Sequence, residues 1–83
     1  MDEDNRRAPR RRILKGATIV FGAGAFSVKC LVKNLSDTGA LLEMENTAEV
    51  PNQFRLVFDD RSNDRQCNVA WRGTKRLGIR FDG

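Results

Sequence analysis

Arg6, Arg7, Arg10, Arg11, Arg12 and Lys15 crowd into the first fifteen residues of this 83-residue chain, and its net charge of +4 is concentrated there. Guanidinium groups stay charged at any ordinary pH and present a planar fork of donors, so the chemistry such a cluster offers is the gripping of an anion. Asp2, Glu3 and Asp4 precede the arginines, which argues against an arm that works by bulk charge alone. A second polar group stands further along. "NLSDTG", Asn34 to Gly39, brings an amide, two hydroxyls and a carboxylate between the alternating run "FSVKCLVK" and the apolar run "ALLEME". Those atoms can close a turn on themselves, or they can face a ligand, and the segment by itself leaves both open.

Enzymatic chemistry finds little support in the rest of the chain, and we expect no enzyme. There is no histidine, hence neither the commonest general base nor the commonest metal ligand. Glu43 and Glu45 share the direction expected of a solvated strand face, and Asp59 and Asp60 sit in "DDRSNDR", whose acids and bases compensate each other. Cys30 and Cys67 lie far apart on alternating apolar faces, which reads as core packing, and no metal-ligand spacing occurs. The Gly-x-Gly of "FGAGAF" lacks the third glycine and the following helix of a phosphate cradle, so it reads as a hairpin turn. "NLS" matches a glycosylation pattern, but no apolar segment follows the basic start as in a secretory signal. The longest apolar run, "ATIVFGAGAF", is about half the ~20 residues that cross a bilayer as a helix. A cytoplasmic protein without membrane insertion is expected.

A length of 83 residues accommodates one small domain. Apolar residues recur with period two rather than 3.6, which predicts strands. The first covers roughly Leu14 to Phe21; "GAGA", Gly22 to Ala25, turns it into a second, Phe26 to Lys33, with Phe26, Val28, Cys30 and Val32 on one face. A third runs from Ala40 to Glu45 with Ala40, Leu42 and Met44 inward, and Pro51 and Asn52 mark the next turn. Phe54, Leu56 and Phe58 define a fourth, Cys67, Val69 and Trp71 a fifth, and Leu77, Ile79 and Phe81 a sixth. Six short strands with one apolar face each must curl to hide it, so the predicted fold is all-β, a small antiparallel six-stranded barrel. It spans 13–83, behind a flexible basic arm, 1–12.

Taken together, "RRAPR" and "NLSDTG" resemble the signature of the PilZ domain family, an R-x-x-x-R arm followed by a D/N-x-S-x-x-G turn. The ending "CNVAWRGTKRLGIRF" is also similar to the family's last hairpin. The resemblance implies a bacterial receptor for cyclic di-GMP, bound on the outside of a six-stranded barrel, with no cofactor. It implies ligand contacts from Arg6, Arg7, Arg10, Asn34, Ser36 and Gly39, with Arg11 and Gly78 as further candidates. An unidentified downstream protein is the implied recipient of the signal.

The chemistry of that ligand suits these residues. Guanine O6 and N7 form an acceptor pair that an arginine fork meets bidentately, phosphate suits the same fork, and a guanidinium plane stacks on a purine. Pro9 biases Ala8 toward extended backbone, so Arg6 and Arg10 can lie up to about 14 Å apart and bracket a broad ligand. Two registers fit, Arg6 with Arg10 or Arg7 with Arg11, and the first preserves the family's R-R-x-x-R form. Surplus arginine also leaves open one bound ligand or an intercalated pair. Two other readings stand beside this one: a ligand-blind PilZ adaptor, and a basic barrel binding single-stranded nucleic acid. The second needs outward aromatic platforms, and the alternation sends most of the five Phe and the one Trp inward. Across the last hairpin, Ala70 is expected opposite Gly78 on the outer face, with Trp71 inside.

Overall fold

The computed structural model describes residues 11–61 and 64–82, and of Arg11 and Arg12 the backbone alone. Six strands follow in order: Arg11–Phe21 (β1), Phe26–Leu35 (β2), Gly39–Glu43 (β3), Gln53–Phe58 (β4), Asp64–Arg72 (β5) and Arg76–Phe81 (β6). All neighbours are antiparallel, and they close in the order β1-β2-β3-β6-β5-β4. Closure is the physical answer to the pattern in the sequence: each strand has one apolar face, and only a tube hides all six at once. Ile19, Val32, Leu42, Leu56, Cys67 and Leu77 are the largest side chains wholly inside.

Four of the five links are hairpins, and the fifth, from β3 to β4, crosses one end of the barrel. Buried Thr47 holds that crossing. Its amide donates to Thr74 O at 3.0 Å, its hydroxyl donates to Gly73 O, and its carbonyl accepts from Arg72 Nη1. Arg72 Nη2 also donates to Asn52 Oδ1 at 3.0 Å. Met44 and Val50, both buried, close this end of the core. At the same end, the β1–β2 turn puts Gly22, Ala23 and Gly24 at positive φ, of which only Ala23 bears a Cβ in that region.

Three expectations shift. β1 begins at Arg11 rather than Leu14, because a bulge between Arg12 and Lys15 breaks the side-chain alternation while backbone pairing to β2 continues through it. Phe26 is 60% exposed rather than inside; it lies past the end of the core and stacks on Phe21, ring centroids 5.5 Å apart. Trp71 is 50% exposed, also contrary to its alternation. A second irregularity explains it. Val69 pairs with Ile79 but Trp71 pairs with Gly78, so Ala70 is the extra residue of a bulge, and every side chain beyond it changes face.

Burial pushes the thiols of Cys30 and Cys67 up to about 12. A raised folded-state value means that the unfolded chain releases these protons first as pH rises. The thiols' contribution is therefore intact below pH about 9 and is lost as pH climbs toward 12. Melting curves should show stability falling over that window, and the Cys30→Ala, Cys67→Val double variant should show a shallower fall. An unchanged pH slope in the variant would contradict it.

Candidate functional site

The register of β1 on β2 decides where the arginine arm enters the fold. Arg12 pairs with Asn34 and Arg11 with Leu35, so the chain arrives directly beside the "NLSDTG" turn. Arg6, Arg7 and Arg10 lie outside the described residues, as does the side chain of Arg11.

The same row continues around the outside of the barrel: Asn34 pairs with Leu41, Leu41 with Gly78, and Gly78 with Trp71. Residues far apart in sequence thus form one line across five strands. Asn34 is half-buried, and its Oδ1 is buried with no hydrogen-bond partner among the described residues. An acceptor left so is a liability of about 1–3 kcal/mol unless something supplies a donor.

Ser36 behaves differently. Its hydroxyl accepts from the amides of Thr38 and Gly39, both at 3.2 Å, and lies 3.3 Å from Gly39 O and from Thr38 Oγ1. The Ser36 amide donates to Gly39 O at 2.8 Å. The turn is therefore closed by its own serine, and the local reading of the motif holds for this residue. Asp37 and Thr38 are exposed at its tip, while the Thr38 carbonyl accepts from Phe81 N at 2.9 Å and ties the turn to β6.

The two glycines have packing reasons. A Cβ on Gly39 would stand 2.2 Å from the carbonyl oxygen of Ile79, so its bareness lets β3 approach β6. Its φ is not positive, which removes one reason for glycine there. A Cβ on Gly78 would stand 2.0 Å from Nε1 of Trp71. Sequence reasoning places Ala70 opposite Gly78, leaving room for a flat ring; the ring that fills the room is the indole of Trp71, delivered by the bulge. No periodicity signals such a bulge, so Trp71's outward position was hidden from the sequence.

Charge around this row is partly spent. Glu43 receives Lys33 Nζ and Arg76 Nε, both at 3.3 Å, and these hydrogen bonds, Lys33's foremost, hold its carboxyl below its ordinary range. Glu43 is thus a tie between β2, β3 and β6 rather than a solvated acid. Asp60 pairs with Lys15 at 2.9 Å and Asp59 with Lys29 at 3.5 Å, partners outside the loop that holds both acids. Arg80, outward beside Gly78 and paired with Gly39, has no ion pair or hydrogen-bonded side-chain partner among the described residues.

A closed six-stranded antiparallel barrel whose first strand enters beside a polar turn defines a class of small β domain. The family comparison agrees: the PilZ domain model matches residues 4–83. The chain belongs to the PilZ domain family, a family of cyclic di-GMP receptors whose domains are ligand-binding adaptors. Among solved structures it is similar to the crystal structure of the PilZ domain of CeSA from a cellulose-synthesizing bacterium. The TM-score is 0.70 at 15% identity, over 92% of this chain and 82% of that one, which is a likeness of fold. No curated protein sequence matches. No helix among the described residues is long and apolar enough to cross a membrane.

Proposed function

We propose that this protein is a cyclic di-GMP receptor module. In this reading Arg6, Arg7 and Arg10, with Arg11 adjoining, grip phosphates and guanine edges from one side while the "NLSDTG" turn meets the ligand from the other. The observation that best supports it is the pairing of Arg12 with Asn34, which brings the end of the arginine segment to the turn through backbone alone. The unpartnered Asn34 Oδ1 gives the ligand a task, since guanine carries N–H donors and an arginine fork carries more. Ser36 shapes the turn, and Gly39 keeps the turn against β6. Binding orders the arm ahead of β1 over the barrel, and arm plus ligand form the surface a downstream protein reads, in the bacterial cytoplasm.

The single-stranded nucleic acid reading gains one feature from the structure, an outward Trp71, and needs more. Phe26 is the other strongly exposed aromatic, and it lies eight residues along β2 from Asn34, about 26 Å at a strand's rise. Successive bases cannot track across such a gap, so the cyclic dinucleotide reading is preferred.

Calorimetry with cyclic di-GMP, cyclic di-AMP and GTP tests the proposal. Cyclic di-GMP should bind, and cyclic di-AMP far more weakly, because adenine sets an amino donor where guanine offers O6 to the arginine fork. Asn34→Ala should weaken cyclic di-GMP by roughly tenfold, the worth of one hydrogen bond to a charged or polar partner. Equal affinity for the two cyclic dinucleotides would sink the guanine-reading role.

A further inference from the structure

Resting on the cyclic di-GMP reading, we infer that Lys15 is a positioning residue for the arginine arm: it pegs the root of β1 to the barrel and so sets where the arm stands beside the "NLSDTG" turn. β1 pairs with β2 from Arg11 to Phe21, but with β4 from Ala17 to Val20 alone. One more backbone bond, Asp59 N to Gly16 O at 3.0 Å, extends that second seam by a residue. From Lys15 back to Arg11 the seam is missing among the described residues, so this stretch of β1, which includes the bulge between Arg12 and Lys15, leans on β2 alone. A ribbon held along one edge can swing about it.

Ile13, packed against the core, opposes that swing from within, and Lys15 opposes it by reaching across the missing seam. Its Nζ lies 2.9 Å from Asp60 Oδ2, just past the end of β4, and 5.3 Å from the centroid of the Phe58 ring, which is buried and cannot follow. β2 and the polar turn stand on the opposite flank of β1. The ammonium is thus turned toward β4 and occupied by a carboxylate and a ring. A half-exposed ion pair of this kind adds little to stability. Its worth is geometric, because a tilt of β1 at Lys15 is carried into every residue ahead of it, and a ligand that needs the arginines in one place must first bring the arm back.

The test turns on sign. Lys15→Met removes a positive charge and Asp60→Asn a negative one, so bulk attraction for an anionic ligand predicts weaker binding by the first variant and tighter binding by the second. A peg predicts weaker binding by both. In calorimetry of the full chain with cyclic di-GMP, Lys15→Met should lose about 3- to 30-fold in affinity, the combined worth of one exposed ion pair and one cation–π contact. Asp60→Asn should lose about two- to fivefold, the ion pair alone. Lys15→Arg, which can meet both partners, should lose least. Melting curves fix a titration temperature at which every variant is folded; a merely structural role would lower the melting temperatures and leave affinity there unchanged. Unchanged or tighter binding by Asp60→Asn, or wild-type affinity in Lys15→Met, would overturn this inference and leave the receptor reading standing. No binding by the unmodified protein would overturn both.

Discussion

Gly39→Ala should destabilise the barrel by about 1–3 kcal/mol, the usual cost of forcing extra atoms into a packed site. The new Cβ would sit 2.2 Å from the Ile79 carbonyl oxygen, and the obstacle is backbone, which no rotamer change can move aside. Relief requires β3 to separate from β6 at the pair Gly39–Arg80, next to the hydrogen bond from Phe81 N to Thr38 O. For a domain of this size the melting temperature should fall by about 4–8 °C for each kcal/mol lost. Circular dichroism melts read this directly, and an unchanged melting temperature would show that the strands yield. Glycine in this motif then has its reason in the sheet, before any ligand is considered.

The second large effect lies in the arm. Arg6→Ala with Arg10→Ala should cost cyclic di-GMP affinity a hundredfold or more, since each charged hydrogen-bonding partner lost is worth about 1.5–3 kcal/mol. Arg55→Ala is the control. Arg55 is exposed and bridges Asp64 at 3.4 Å on β4 and β5, so its removal changes net charge without altering either motif. Calorimetry should show only a small loss for it, and similar losses at both places would mean that bulk charge alone drives binding. If Arg7→Ala with Arg11→Ala is instead the sensitive combination, the arm binds one residue out of the expected register and the mechanism is otherwise unchanged.

Much of this architecture could be read from alternation. Phe54, Leu56 and Phe58 point inward as their spacing requires, as do Ala40, Leu42 and Met44, because a regular strand cannot place neighbours on the same side. Bulges are where that reasoning stops, and the registers shift at three places, between Arg12 and Lys15, Val32 and Asn34, and Val69 and Trp71. An inserted residue leaves no mark in an apolar pattern except a break, and a break near a strand end reads as the end; hence Arg11 and Arg12 looked like arm and Trp71 like core. The polar turn was half legible. Its residue types pointed to self-closure and to ligand contact, and the geometry shows the first, with the Ser36 hydroxyl accepting from its own loop, while Asn34 Oδ1 has no partner among the described residues.

The row from Arg12 through Asn34, Leu41 and Gly78 to Trp71 runs along the hydrogen-bonding direction of a closed sheet, and such a row is a ruler. Its divisions are the interstrand spacing, about 4.8 Å, set by backbone hydrogen bonds rather than by side-chain type. Asn34 to Gly78 is two divisions, about 10 Å, and Arg12 to Gly78 is three, about 14 Å. A mononucleotide can occupy one end of that scale or the other. Under the proposed reading, a molecule with two bases held apart by a rigid ring uses both ends of that scale, and GTP, with a single base, uses one end and should bind more weakly.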